Sequence, residues 1–320
     1  MKNKNGVMSV KAIIEKITEQ IQEGIYPGAS LALYRNGQWS EHYLGLADPE
    51  KGEPVVADLV YDLASVSKVV GVATICAFLY AKGELPLDRS FKELYPRFAH
   101  EKTTIRELLT HTSGLDPFIP NRDQLDARQL KTALENLQLK ENKSFHYTDV
   151  NFLLLGFWLE DRFRQPLDRL FEELIFTPWK MTETRFGPVE KAVPTVRGVA
   201  SGSVHDPKAQ VLGCHAGSAG LFSTVADLER FLEHYLKEDF ARDLSQNFAR
   251  EEGKTRALGW NLEGEWLDHT GYTGTFIMYN RKSQEAVIFL SNRTYEKDER
   301  AQWILDRNSL MDLIKQEFEK

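Results

Sequence analysis

The chain has 320 residues, 42% of them hydrophobic and 27% charged, with a net charge of −7. That length suits two domains or one large one, and the apolar content is enough to bury their cores. The acidic balance, with no long lysine or arginine run, argues against nucleic acid and against an anionic membrane surface, so small-molecule or peptide partners are expected. Two cysteines, Cys76 and Cys214, make no disulfide framework and fit free thiols in a reducing compartment. Met1 to Glu15 lacks the apolar stretch of a secretory signal, so a cytoplasmic location is expected.

In chain order, Val10, Ile13, Ile14, Ile17 and Ile21 repeat at helical spacing until Gly24 and Pro27, which predicts an opening amphipathic helix. Alternation in Ser30 to Tyr34 and in Trp39 to Leu46, around Asn36-Gly37, predicts a β-hairpin. The apolar run Val69 to Ala81 is too short for the ~20 residues of a membrane helix and is bracketed by Lys68 and Lys82, so a buried core helix is expected.

Helical periodicity then dominates: Thr104 to Thr110, Ala127 to Leu137, Asn151 to Phe163, Pro166 to Phe176 and Ala226 to Lys237. Strand character returns in Leu258 to Leu262, Thr275 to Tyr279 and Ala286 to Ser291, before a terminal helix from about Glu299 to Phe318. A sheet built from both ends of the chain is therefore expected. Residues 1–85 and 225–320 would form a discontinuous α/β domain and 86–224 a mainly helical one, with a pocket at their seam.

Ser65-Val66-Ser67-Lys68 lies at that seam, ahead of the apolar run. Ser-x-x-Lys at the start of a helix puts hydroxyl and amine on one face, one turn apart. A serine hydroxyl is a poor nucleophile until a neighbour accepts its proton, and a lysine can do so only if burial or nearby charge favours its neutral form. A helix start also offers unpaired N–H groups to a developing oxyanion. Lys68 is the only charge between Asp62 and Lys82, and the site should be partly buried. By itself the pattern also fits a capping serine followed by a solvated lysine.

Two further segments stand out. Tyr147 and Asp149 precede the helix that starts near Asn151, where an aspartate is also an ordinary N-cap. Asp268-His269-Thr270-Gly271-Tyr272-Thr273-Gly274 reads as a loop leading into a strand, with glycines that let backbone approach a ligand or pass a turn. No His-Glu-x-x-His pair or cysteine–histidine cluster occurs, so no metal or cofactor is expected. Ala216 to Gly220 nearly matches a nucleophile elbow but lacks its first glycine, and is taken as a loop lining the pocket. His205-Asp206 could be read as triad partners of a serine, a role Lys68 and Tyr147 already fill.

Together, Ser65-x-x-Lys68, Tyr147-x-Asp149 and His269-Thr270-Gly271 resemble, in order and separation, the three motifs of penicillin-recognising serine hydrolases. The likeness is to the branch with class C β-lactamases, low-molecular-weight DD-peptidases and related serine esterases. It runs from about Ile13 to Asn292 and includes Leu108 to Leu115, Gly220 to Ser223 with Asp227-Leu228, and His269 to Thr275.

The resemblance implies an α+β, β-lactamase/transpeptidase-like fold: an antiparallel sheet flanked by helices, plus a mostly helical domain. It implies acylation of Ser65, base and proton-shuttle work shared by Lys68 and Tyr147, and an oxyanion hole from the backbone N–H groups of Ser65 and Tyr272. Asp149, His269, Thr270 and Gly271 are the expected substrate-binding residues.

Two departures from the family pattern bear on substrate. Asp149 stands where relatives often have asparagine; ionised, it offers no donor to a substrate carbonyl and is free to pair with Lys68. His269 replaces a lysine that helps hold the substrate carboxylate, which weakens the fixed positive charge. Both point away from strong carboxylate recognition. The leading expectation is an esterase- or amidase-like serine hydrolase with weak or no β-lactamase activity, acting on a small ester, amide or peptide. The alternatives are a DD-peptidase or β-lactamase, and a non-catalytic binding protein that keeps the fold.

Overall fold

A computed structural model describes residues 5–250 and 254–320. Ten strands occur among these residues: β1 Gly28–Arg35, β2 Gln38–Asp48, β3 Glu53–Pro54, β4 Tyr61–Asp62, β5 Arg185–Phe186, β6 Leu221–Ser223, β7 Asn261–Glu263, β8 Trp266–Thr270, β9 Phe276–Asn280 and β10 Glu285–Ser291. The α-helices are α1 Asn5–Gln22, α2 Thr74–Ala81, α3 Phe91–Leu94, α4 Ile105–Leu109, α5 Ala127–Glu135, α6 Val150–Phe163, α7 Leu167–Phe171, α8 Pro207–Leu212, α9 Val225–Lys237 and α10 Arg300–Phe318.

Seven strands form one sheet in the order β3-β2-β1-β10-β9-β8-β7, and every pairing is antiparallel. The predicted hairpin is present, and Asn36 and Gly37 both adopt positive φ, as a type I′ turn demands. The central strands bury both faces. Leu31, Leu33, Phe276, Met278, Val287 and Phe289 pack with Ile13, Ile17 and Trp303 from α1 and α10. Their alternates, Ala32, Tyr34, Ile277, Tyr279 and Ile288, face the larger core built on α2, α6 and α9. Full burial of each large apolar side chain is worth about 1.5–3 kcal/mol, which explains why these strands read as nearly continuous apolar runs.

Local structure differs from the sequence expectation at three places. Ser65 does not start a regular helix: it lies in a 3₁₀ turn, Ala64–Val66, followed by a π-helical segment, Val69–Ala73, that leads into α2. The Leu258 to Leu262 strand shrinks to β7, because Gly259 takes a positive φ and the Ala257 N–H bonds the Trp260 carbonyl at 3.1 Å, closing a turn. The segment read as a loop through His269 is strand β8, paired with β9 along its whole length. A second sheet, β4-β6-β5, gives little pattern because its strands are two or three residues long.

That small sheet and a few polar anchors hold the turn that carries Ser65. Ala64 has φ of 45°, a strained value for a residue with a Cβ. Its N–H is taken by Asp62 Oδ1 at 2.7 Å, while Asp62 Oδ2 accepts the His205 N–H at 2.8 Å. Leu221 N–H donates to Ser67 Oγ at 3.1 Å, tying β6 to the same turn. Gly217, just before it, touches α6 so closely that a Cβ would stand 2.4 Å from the Phe152 carbonyl oxygen and 2.9 Å from Val72 Cγ2.

Gly217→Ala must therefore push the 216–220 segment off α6. The expected cost is about 1–3 kcal/mol, read as a lower midpoint in thermal unfolding, and an unchanged midpoint would contradict the packing. Asp62 gives a second expectation. Burial pushes its carboxyl up from 3.8 to about 6, so the folded state holds the proton more tightly than the unfolded chain. Its contribution to stability is complete below 3.8 and is lost as pH rises to about 6. In urea unfolding, wild type should lose ground to Asp62→Asn across that window and not above it.

Candidate active site

Ser65 is half-buried at the edge of a cleft of about 690 Å³, bounded by Tyr147, by β8 and the turn after it, and by α10. Lys68 is completely buried beneath it. Its ammonium donates to Ser65 Oγ at 2.8 Å and to the Ser218 carbonyl at 2.9 Å, and stands 5.3 Å from the centre of the Tyr147 ring. Among the described residues no carboxylate lies within ion-pair distance of Lys68. Ser65, Lys68 and Tyr147, which the resemblance grouped together, are thus neighbours at the cleft. Ala216 to Gly220, expected to line the pocket, lies behind it instead and offers the Ser218 carbonyl to Lys68.

Tyr147 is held from behind by a buried polar cluster. The His111 ring lies 4.6 Å from the Tyr147 ring and stacks on Phe152 at 5.4 Å. His111 Nδ1 faces Asn151 Nδ2 at 3.1 Å and the Thr148 N–H at 3.4 Å, so Nδ1 is the acceptor. Ser113 Oγ then donates to Asn151 Oδ1 at 2.7 Å. The Thr110 to Ser113 segment, which resembled the family without a role, is this brace.

The third motif is pinned to the nucleophile turn. Thr273 Oγ1 donates to the Asp62 carbonyl at 2.9 Å and Thr275 Oγ1 to the Leu63 carbonyl at 3.1 Å. A Cβ on Gly271 would stand 2.6 Å from the Leu63 carbonyl oxygen, so only glycine allows this approach. The backbone N–H groups of Ser65 and Tyr272 have no acceptor among the described residues, and both residues line the cleft. Thr270 and Gly271 line it as well.

His269 is in the cleft wall, 6.1 Å from the Tyr147 ring between centroids. Burial, reinforced by Lys68 and Arg256, holds its imidazole well below the usual histidine range, and His111 is lowered in the same way. Both rings are neutral at pH 7.

Asp149 is a correction. It neither lines the cleft nor pairs with Lys68. Its carboxylate bonds Lys208 on α8 at 2.8 Å. Burial alone would push this carboxyl up; the Lys208 ammonium outweighs it and leaves the group below its ordinary value. A carboxylate this buried needs a cation, and α8 supplies one. His205 and Asp206 form no triad: the His205 ring packs on Tyr272 at 5.5 Å, and Asp206 Oδ1 caps α8 at the Ala209 N–H.

Sequence reasoning missed the cations on the α10 side. Arg293, Arg300 and Arg307 all line the cleft. Arg293 Nε donates to the Tyr272 carbonyl at 2.8 Å and Nη1 bonds Asp298, while its buried Nη2 has no partner among the described residues. Arg293 and Arg300 both stack over the Tyr272 ring, at 4.7 and 5.7 Å. Burial and the repulsion of those two lower Arg307. The available signal was Asn292-Arg293 directly after β10, followed by arginines on the terminal helix.

The family pattern described as Beta-lactamase matches residues 13–310. The chain is 26% identical over 352 aligned positions to the Escherichia coli K12 protein named "Putative D-alanyl-D-alanine carboxypeptidase", covering 87% of this chain and 81% of that one. It is 25% identical over 355 positions to the protein of that name from Salmonella typhi, with the same coverage of each, 87% and 81%. Among solved structures, a β-lactamase/D-alanine carboxypeptidase from Pseudomonas syringae superposes with TM-score 0.76 at 20% identity over 97% of this chain and 99% of that one. EstCE1, a hydrolase with promiscuous acyltransferase activity, gives 0.76 at 20% identity over 96% and 98%. A class C β-lactamase gives 0.73 at 18% over 97% and 98%. From the match to residues 13–310, this chain belongs to the Beta-lactamase family, and it has the β-lactamase/transpeptidase-like α+β fold.

Proposed function

We propose that the protein is a serine hydrolase that works through an acyl-enzyme at Ser65, esterase- or amidase-like in preference and weak or inactive on β-lactams. The observation that carries this reading is the 2.8 Å contact between the buried Lys68 amine and Ser65 Oγ at the edge of an open cleft. Ser65 Oγ attacks the substrate carbonyl, and its proton passes to the coupled Lys68–Tyr147 pair. The tetrahedral oxyanion is received by the N–H groups of Ser65 and Tyr272. When the intermediate collapses, the bond to the leaving oxygen or nitrogen breaks and the pair returns the proton to that atom. Water then attacks the acyl-enzyme ester, the bond between the acyl carbon and Ser65 Oγ breaks to release the acid, and the same groups carry the water's proton back to Ser65 Oγ.

A second reading is favoured by the guanidinium cluster. Three arginines on one wall, with the buried Arg293 Nη2 unpartnered among the described residues, suit a substrate that carries an anionic group beside the scissile carbonyl. A peptide ending in D-alanyl-D-alanine has its terminal carboxylate there, and proteins named for that carboxypeptidase activity are among the relatives. This counters the expectation, drawn from Asp149 and His269, that carboxylate recognition is weak.

Two outcomes are expected. p-Nitrophenyl acetate should leave an acetyl adduct on Ser65 in intact-mass spectrometry, and Ser65→Ala should lose both adduct and turnover, by a factor on the order of 10³ or more. Equal turnover by the two proteins would sink the proposal. Arg300→Ala should raise KM about ten-fold or more for D-alanine release from a D-alanyl-D-alanine peptide, the loss of one charge-assisted contact. The neutral ester should be hydrolysed as before. An equal effect on both substrates would remove the second reading.

A further inference from the structure

On the acyl-enzyme reading the Tyr272 N–H receives an oxyanion, which requires the turn after β8 to hold one orientation. Inside that turn the Gly274 N–H donates to the Gly271 carbonyl at 3.2 Å, and the Gly271 N–H to the Thr275 carbonyl at 2.6 Å. The Gly271 carbonyl and the Tyr272 N–H belong to one trans peptide plane and point opposite ways. With the carbonyl turned into the loop, the N–H faces out of it, and it has no acceptor among the described residues.

The other side of Tyr272 is held by Arg293, which follows β10 and is almost completely buried. Its Nε donates to the Tyr272 carbonyl at 2.8 Å, its backbone N–H to the Thr273 carbonyl at 3.1 Å, and its guanidinium carbon stands 4.7 Å from the centre of the Tyr272 ring. Nη1 donates to Asp298 Oδ1 at 2.5 Å, and Asp298 Oδ2 accepts from the Tyr272 hydroxyl. One carboxylate therefore ties the guanidinium to the ring it covers. The arginine stem crosses the turn so closely that a Cβ on Gly274 would stand 2.7 Å from Arg293 Cγ, and Gly274, at a φ of 105°, carries none. Tyr272 is gripped at its carbonyl, its ring face and its hydroxyl. A guanidinium this buried is costly unless paired, and Asp298 makes its position tolerable.

We propose that Arg293 and Asp298 form a positioning unit for the oxyanion hole: by clamping the carbonyl, ring and hydroxyl of Tyr272 they fix the direction of its N–H. This rests on the acyl-enzyme reading above. Neither residue needs to touch the reacting atoms, because each acts through Tyr272. The peptide plane before Tyr272 is set by the turn's own glycines and the plane after it by Arg293, so loss of the arginine frees the backbone rotation that decides where the N–H points. The role gives Arg293 a task on neutral substrates, separate from any anion that the cleft's arginines recognise. It also links the oxyanion hole to the segment that leads into α10, where Asp298 lies.

The test combines the neutral ester p-nitrophenyl acetate, phenylboronic acid as a tetrahedral mimic on Ser65, and NMR of the Tyr272 backbone amide. In Arg293→Gln the acylation rate at saturating ester should fall about ten- to a hundred-fold, with the half-saturating concentration little changed. Boronate affinity should fall by a similar factor, and the order parameter of the Tyr272 amide should drop from the rigid range, about 0.85, to below about 0.6. Arg293→Lys, which keeps the charge and one donor, should recover part of each loss. An Arg293→Gln protein that acylates and binds the boronate as wild type does, or that only binds the ester more weakly while the Tyr272 amide stays rigid, would overturn the proposal. Should Arg293→Gln not fold, Asp298→Ala decides at a half-exposed position. It should show the same three losses to a smaller degree, and wild-type boronate affinity with a rigid Tyr272 amide would overturn the idea. The NMR readout needs no turnover. Failure of Ser65 labelling in the wild type would therefore count against the acyl-enzyme reading, while the amide still reports on the clamp.

Discussion

Burial of the Lys68 amine is the constraint from which the rest of the site follows. Its side chain enters an apolar core whose neighbours Val66, Val69, Val70 and Val72 exclude water. Among the described residues, two oxygens accept from it, Ser65 Oγ and the Ser218 carbonyl. A buried ammonium without a carboxylate is costly, and its position is tolerable only while both acceptors hold. That requirement explains the close approach of the 216–220 segment to α6, where Gly156 and Gly217 leave no room for a side chain. The π-helical segment that follows Lys68 carries Gly71, where the Phe171 ring packs so closely that a Cβ would be 2.4 Å away.

The second requirement is registration between parts of the chain about two hundred residues apart. Ser65 and Tyr272 can point their N–H groups into one cleft only if the turn after β8 is locked to the nucleophile turn. Thr273 and Thr275 make that lock with the carbonyls of Asp62 and Leu63, and Gly271 permits the approach. Asp62 fixes the other side through the N–H groups of Ala64 and His205. Arg293 holds the Tyr272 carbonyl from α10's side of the cleft. The strain at Ala64 is thus held by polar contacts whose side chains all lie outside the three motifs.

What could be read from the sequence follows from what each signal encodes. Helices α5, α6, α9 and α10 and strands β1, β2, β9 and β10 are long enough for periodicity to show, and their ends fall within a few residues of the pattern. Strand β8 was invisible because Asp268 and His269 are buried polar residues, which break the apolar alternation that marks a strand. Strands β4, β5 and β6 are too short to carry a period. Among candidate site residues, Ser65 and Lys68 could be found from their local spacing, and Tyr147 and His269 from the resemblance of their segments to the family's motifs. Ser218 and Lys208 could not, because they reach their partners only through tertiary packing. Asp149 was misplaced for the same reason: the choice between Lys68 and Lys208 lies in the course of the loop before α8.

Moving Asp149 to Lys208 changes the charge balance that selects the substrate. An Asp149–Lys68 pair would have held the amine as a cation and placed a negative charge beside the scissile carbonyl. With Asp149 neutralised by α8, the cleft's side chains near Ser65 are the Tyr147 phenol and the His269 imidazole, and toward α10 stand three guanidiniums together with Glu263, Asp268 and Asp312. The absence of a lysine at position 269 therefore does not leave the cleft without positive charge, because Arg293, Arg300 and Arg307 stand on its α10 side. That side is separate from the buried contact between Lys68 and Ser65, so substitutions on α10 need not disturb it.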